Sequence, residues 1–266
     1  MLDSLAENSC VVIVGAGNLA TNLCHALKFA GHDIIQVYSR TIESAKILTD
    51  LCGGGPVNDI KLIANDADLY VVALKDSVLS DLLPDICNGR RDKIFVHTAG
   101  SVNMDIFEGL TDNYGVVYPL QTFSKSRILP FDDIPCFIEA NNPATEKTLQ
   151  TLAESICKNV RIISSEQRKH IHLAAVFASN FSNHCYALAA DILERNSLSF
   201  NYLLPLIKET ANKVEYMHPA KAQTGPAVRF DENIISKQSA LLDYNQDMKR
   251  VYDMMSLNIH KKSSSL

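Results

Sequence analysis

No apolar run in this 266-residue chain approaches the roughly 20 residues that a membrane span requires. The longest, such as 69–74, are closed off by charges at Asp68 and Lys75, which excludes a bilayer-spanning helix. A positive field is missing too. The formal net charge of -5 and the pI near 5.9 offer nothing to collect phosphate backbones, so nucleic acid is not an expected partner and a small molecule is. Metal-ligand spacing is absent: the seven cysteines, at 10, 24, 52, 87, 136, 157 and 185, are scattered and contain no CxxC. They read as reduced thiols packed as small hydrophobes, with no metal site. Basic residues are lacking at the amino terminus, where Asp3 and Glu7 stand in place of a leader's positive charges, so a cytoplasmic protein is expected. No internal repeat is visible.

With 47% hydrophobic residues, the chain can bury one large core or two modest ones. Through the first 160 residues or so, short apolar runs alternate with helix-length segments, the pattern of a mostly parallel sheet flanked by helices. Candidate strands are 10–14, 33–38, 69–74, 94–97, 116–118, 136–139 and 160–163. The first four are continuous apolar runs, as expected of strands covered on both faces. After Ser164 the texture changes to helical periodicity, broken at 218–231 by Pro, Gly and small residues, and 260–266 reads as a frayed tail. The expected fold is α/β, a Rossmann doubly wound sheet over residues 1–164, followed by an all-α carboxy-terminal domain over 165–266.

The first apolar run, Cys10 to Val14, leads into Gly15-Ala16-Gly17-Asn18-Leu19-Ala20 and a helix-compatible stretch ending near Gly31. Gly15 permits the tight turn, Gly17 lets backbone approach a diphosphate, Ala20 lets helix and strand pack closely, and the helix amino terminus faces the anion. The same turn can also bind S-adenosylmethionine, or nothing. Strand before, helix after and a second strand next are the context of a dinucleotide site. At the end of that second strand stand Ser39, Arg40 and Thr41, with no Asp or Glu to accept from ribose hydroxyls. Arg40 between two hydroxyls suits a 2′-phosphate, so NADP(H) is the expected cofactor; the alternative is a solvated arginine at a strand end.

Ligands of such sheets sit at the carboxyl ends of strands. Ala73-Leu74-Lys75 follows the third candidate strand, its backbone placed to pass over the cofactor's middle, and Lys75 either reaches substrate or is solvated. After the next strand, His97 precedes Thr98-Ala99-Gly100, small residues that let a flat nicotinamide lie against backbone; His97 donates a proton or bonds a neighbouring loop. Val116-Val-Tyr118-Pro-Leu-Gln121-Thr122-Phe-Ser124 is a polar pocket wall bearing Gln121, or a turn with core aromatics.

Beyond Ser164, about 100° per residue sorts a helix into an apolar stripe of Leu173, Phe177, Phe181 and Leu188 and a polar arc of Lys169, His172, Ser179, Asn180 and Asn183. That arc is either a solvated face or a pocket wall. Its small and amide-bearing residues are poor helix formers, which favours the wall. There, Asn180 and His172 orient a carbonyl or imine and supply the proton that accompanies hydride transfer.

The segments GAGNLA, Ser39-Arg40, HTAGS from His97, YPLQTFS from Tyr118, HLAAVFASNFSNH from His172 and TGPAVRFD from Thr224 together resemble a family of Rossmann-like proteins whose carboxy-terminal half is a domain of unknown function. That family is similar to pyrroline-5-carboxylate reductase and ketopantoate reductase, with a helical domain of the 6-phosphogluconate dehydrogenase type, and some members are labelled deazaflavin-dependent NADP oxidoreductases. The resemblance implies that the HTAGS loop lies under the nicotinamide and that His172, Ser179, Asn180 and Asn183 face the cleft. It also implies a homodimer formed through the helical domain, and a TGPAVRFD loop, with Arg229, that completes the substrate site. One departure stands out: the related 3-hydroxyacid and ketopantoate reductases place a lysine four residues before the asparagine, where this chain has Val176. Lys75 or Lys169 is the substitute available. The expectation is an NADPH-dependent reductase of a small carbonyl or imine acid with Asn180, His172 and His97 as catalytic candidates, the alternative being a catalytically silent NADP(H)-binding or sensing protein.

Overall fold

The computed structural model of the chain describes residues 9–264. The amino-terminal stretch behind the expectation of no leader lies outside them. They form two compact units, the first ending at Asn180 and the second beginning at Phe181. No helix among the described residues is long and apolar enough to cross a membrane.

The first unit is built on an eight-stranded sheet, β1 (Cys10–Val14), β2 (Asp33–Tyr38), β3 (Gly55–Val57), β4 (Leu69–Val72), β5 (Ile94–His97), β6 (Asn113–Pro119), β7 (Cys136–Ala140) and β8 (Val160–Ile162), in the order β3-β2-β1-β4-β5-β6-β7-β8. All neighbours are parallel except β6 and β7. Helices α1 (Asn18–Phe29), α2 (Ile42–Cys52), α3 (Asp76–Cys87) and α4 (Pro143–Ile156) connect them. Alternate residues of β1 enter two separate cores: Val11 and Ile13 pack with Leu23 and Leu27 of α1 and Leu48 of α2, Val12 and Val14 with Leu79, Leu83 and Ile86 of α3. Burial on both faces is why these strands read as unbroken apolar runs. The doubly wound α/β sheet expected from the sequence is present, and its strand order reverses between β1 and β4, the position where such sheets take ligands.

The structure adds to the sequence reading at several places. Strand β3 was not anticipated, because Gly53-Gly54-Gly55-Pro56 reads as a chain breaker and only three residues pair, all with β2. Helix α5 (Ser165–Ala175), which opens the helical texture, belongs to the first unit. Finally, 260–264 is not frayed. Helix α11 (Gln246–Ser263) runs through it with His260, Lys261 and Lys262 in its last turn, where cations complement the helix dipole.

Helix α5 is followed by a π-helical turn, Val176–Phe181. The second unit continues with α6 (Ser182–Arg195), α7 (Leu204–Tyr216), α8 (Pro219–Ala222), α9 (Pro226–Arg229), α10 (Glu232–Ala240) and α11. Many of its large apolar side chains are exposed in the single chain, Tyr202, Leu206, Tyr216, Leu241 and Met254 among them.

Candidate active site

A cleft of about 950 Å³ opens at the carboxyl ends of β4, β5 and β6 and the turn after β1, entirely within the first unit. Its first wall is the turn from Gly17 to Ala20. Gly15 adopts φ +123°, and a Cβ there would collide with the Ala73 carbonyl, so glycine is required. Its N–H donates to Tyr38 O at 2.8 Å, which pins the turn. Gly17 caps α1 without a side-chain cap, no acidic residue stands in the first helical turn, and a Cβ on Gly17 would meet no atom within 4 Å. Main-chain N–H groups thus face open space at the positive end of a helix, a fit for a diphosphate. Behind them Asn22, fully buried, ties α1 to the loop after β6. Its amide donates to Asn18 O at 3.0 Å and Ser124 O at 2.9 Å and accepts from Leu129 N at 3.0 Å.

The second wall is Ala73 to Asp76 and Thr98 to Gly100. Beneath it lies His97, with no exposed surface and not part of the lining. Its Nδ1 accepts from Ala99 N–H at 3.1 Å, which puts the ring hydrogen on Nε2, near the Asn103 backbone but without a hydrogen bond of good geometry. Burial first, then the charge of Arg168, push its pKa down to about 3. His97 is therefore a neutral buttress that shapes the Thr98–Gly100 turn. Ser101 Oγ donates to Asp76 at the mouth of this wall.

The third wall is Tyr118 to Phe123, and the fourth is the face of α5 and the π turn. They meet where Tyr118 Oη lies 2.8 Å from His172 Nδ1. Burial raises the Tyr118 pKa, partly offset by Arg168. Helix α5 is locked in place from below: Arg168, fully buried, pairs with Glu139 of β7 at 2.5 Å and donates to Val102 O at 2.5 Å and Ser165 Oγ at 3.0 Å, while Ser165 N–H donates to Glu139 at 2.7 Å.

Of the residues singled out in the sequence, the structure brings Gly17, Asn18, Leu19, Ala73, Leu74, Lys75, Thr98, Ala99, Gly100, Gln121, His172, Ser179 and Asn180 onto this one cleft. Gly15 and Ala16 form the turn behind it, and Ser39, Arg40 and Thr41 stand at the end of β2, outside the lining. Lys169 is also outside, 3.6 Å from Glu166. Asn183 and Arg229 belong to the second unit, Arg229 exposed on the single turn α9 that Phe230 closes in the left-handed conformation, φ +52°. A polar arc drawn at about 100° per residue does not continue through a π turn, whose larger number of residues per turn shifts the face. Sequence reasoning missed Tyr118 as a partner of His172, and Arg168 and Glu139 as the lock of α5. The one available signal was charge at positions of otherwise apolar or helical pattern. Among the described residues no group of His, Cys, Asp or Glu is arranged to hold a metal.

Comparison with known proteins gives a consistent picture. The signature of a Rossmann-like domain matches residues 5–122, and that of a domain of unknown function, DUF2520, matches residues 134–259. The crystal structure of a Bacteroides fragilis protein provisionally designated an NADP oxidoreductase is 47% identical, covers 96% of this chain and 99% of its own, and superposes with a TM-score of 0.94. An imine reductase from Myxococcus stipitatus in complex with NADP+ is 13% identical with a TM-score of 0.71, over 96% of this chain and 94% of that one, a likeness of fold alone. A glutamyl-tRNA reductase of Macrococcus caseolyticus is 28% identical over 164 residues, 58% of this chain, and the chain spans only 33% of that relative's length.

Proposed function

The chain belongs to the family of Rossmann-like proteins that carry a DUF2520 domain on the carboxy-terminal side, and on that premise we propose that it is an NADP(H)-dependent oxidoreductase delivering hydride to a small carbonyl or imine acid. One observation carries the reading: a single cleft gathers an uncapped helix amino terminus behind a glycine turn, a small-residue loop and a tyrosine–histidine pair. The strongly similar Bacteroides fragilis protein, designated an NADP oxidoreductase, supports it.

Main-chain N–H groups of the turn 15–19 hold the diphosphate, and Ser39, Arg40 and Thr41 take the 2′-phosphate. Arg40 is exposed at the end of β2 and forms no ion pair among the described residues, which supports the phosphorylated cofactor. When bound, the reduced nicotinamide supplies the hydride. Ala73 to Lys75 run beside its middle, and Thr98 to Gly100 give it a flat floor. Gln121, Ser179 and Asn180 orient the substrate, and His172 gives a proton to its nitrogen or oxygen. Residues 1–164 serve the cofactor, and 165–266 serve substrate and dimerisation, with Asn183 and Arg229 assigned to the substrate. The apolar surface exposed on the second unit supports a homodimer. Seven free cysteines, five of them buried, suit the reducing cytoplasm.

A silent NADP(H)-binding protein is the second reading, favoured by Val176 at the position where related reductases carry lysine. The test is a panel of 2-oxo acids and cyclic imines offered with NADPH, followed by loss of the reduced-nicotinamide absorbance. The proposal expects turnover with at least one member and its loss in Asn180→Ala and His172→Ala. Tight NADPH binding with no turnover across the panel would leave the silent reading standing.

A further inference from the structure

The Tyr118–His172 contact permits an accounting of hydrogens. The two rings meet edge to face, centroids 6.0 Å apart, with Oη 2.8 Å from Nδ1. Tyr118 is 7% exposed, and among the described residues its hydroxyl has no acceptor other than that nitrogen. Either arrangement leaves one hydrogen for the cleft; with Nδ1 as donor it sits on the nearly buried hydroxyl, with the tyrosine as donor it sits on the imidazole, the more exposed of the two rings. The tyrosine therefore donates and Nδ1 accepts. In the neutral ring the hydrogen then sits on Nε2, which has no partner among the described residues, and His172 lines the cleft.

The ring is also held in position. A Cβ on Gly100 would collide with Cβ, Cγ and Nδ1 of His172, so the imidazole lies directly against the Thr98–Gly100 turn. The charged groups acting on Tyr118 are Arg168 of α5 and Asp76 at the start of α3, of opposite sign. Burial outweighs both and keeps the hydroxyl protonated at neutral pH.

We propose that Tyr118 is a positioning residue for proton transfer, holding His172 as its Nε2–H tautomer and passing its own hydrogen to Nδ1 as the Nε2 hydrogen goes to the substrate. This deepens the oxidoreductase reading and rests on it. The hydride forms the new C–H bond, and the electron pair of the C=N or C=O bond moves to the heteroatom. A heteroatom–H bond forms as Nε2–H breaks, and Nδ1–H forms as the tyrosine O–H breaks. The resulting tyrosinate lies in the field of Arg168, and after product leaves it takes back the Nδ1 hydrogen as Nε2 gains a proton from water, which restores the starting pair. No imidazolate is formed at any point. A neutral histidine used as the hydrogen-bonding electrophile has precedent in enzyme chemistry.

Two measurements on the full chain test this. Long-range proton–nitrogen NMR of histidine-labelled protein without ligand should show His172 as the Nε2–H tautomer in the parent and as a mixture in Tyr118→Phe. With whichever panel imine or oxo acid the parent reduces, Tyr118→Phe should lose tenfold or more in kcat at unchanged KM. His172→Gln should lose kcat to the same extent. An unchanged tautomer, or an unchanged kcat, in Tyr118→Phe overturns the inference while parental turnover upholds the oxidoreductase reading. A parent inert toward the whole panel counts against that reading, and the tautomer measurement still decides the role of Tyr118.

Discussion

His97 shows how a single side chain can shape a site without entering it. Folded, it stays neutral down to about pH 3; unfolded, it titrates near an ordinary value of roughly 6.5. Below that value the unfolded chain binds a proton that the folded chain refuses, so stability is full above it and declines as pH falls toward the folded pKa. Near pH 5 the loss amounts to about 2 kcal/mol. His32, whose pKa burial also lowers, adds in the same direction. Denaturant unfolding near pH 7 and pH 5 should show the parent losing about 2 kcal/mol more than His97→Asn; equal losses would contradict the account. Glycine positions such as Gly15 are legible in the sequence because the turn allows no other residue. The histidine's role is not, because its burial and the Arg168 charge are tertiary and its bond to Ala99, two residues on, carries no sequence signature. Tyr118 is the same case. Its partner lies 54 residues away and leaves no local mark.

Elements of the sheet are legible for a related reason. A strand covered on both faces is largely apolar, so β1 and β5, buried almost throughout, stand out with their observed bounds, as β2 does despite Asp33 and Gln36, whereas the three residues of β3 carry no such requirement. Helix α5 opens with a capping box at Ser164 and Gln167, and the buried Arg168–Glu139 pair, a contact between residues 29 apart, ties it to the sheet of the first unit. Removing one charge leaves the other buried and unpaired, so Glu139→Gln should cost about 3–5 kcal/mol, while replacing both residues by leucine should recover only part of it, since Ser165 N–H also loses its acceptor. A double-mutant cycle by chemical denaturation checks this; a near-neutral Glu139→Gln would mean that the pair does not hold α5. The π turn that carries Ser179 and Asn180 is the element least legible in advance. Val176 to Phe181 contains poor helix formers, but nothing in it distinguishes a π turn from a weak α-helical one.

At the scale of the whole molecule, the chain pairs a sheet with two well-covered cores and a helical unit rich in exposed apolar side chains. Covered cores make the first unit readable from periodicity alone. The apolar stripe read in the sequence runs from the first unit into the second, and Leu173, Phe177 and Phe181 are exposed in the single chain. The account as a whole depends on a phosphorylated dinucleotide held at the tip of β1, and calorimetric titration of the intact chain tests that most directly. NADPH should bind one per chain, and NADH at least tenfold more weakly, the scale of a lost charged hydrogen bond of roughly 1.5–3 kcal/mol at Arg40. Absence of binding by either nucleotide to folded protein would contradict it.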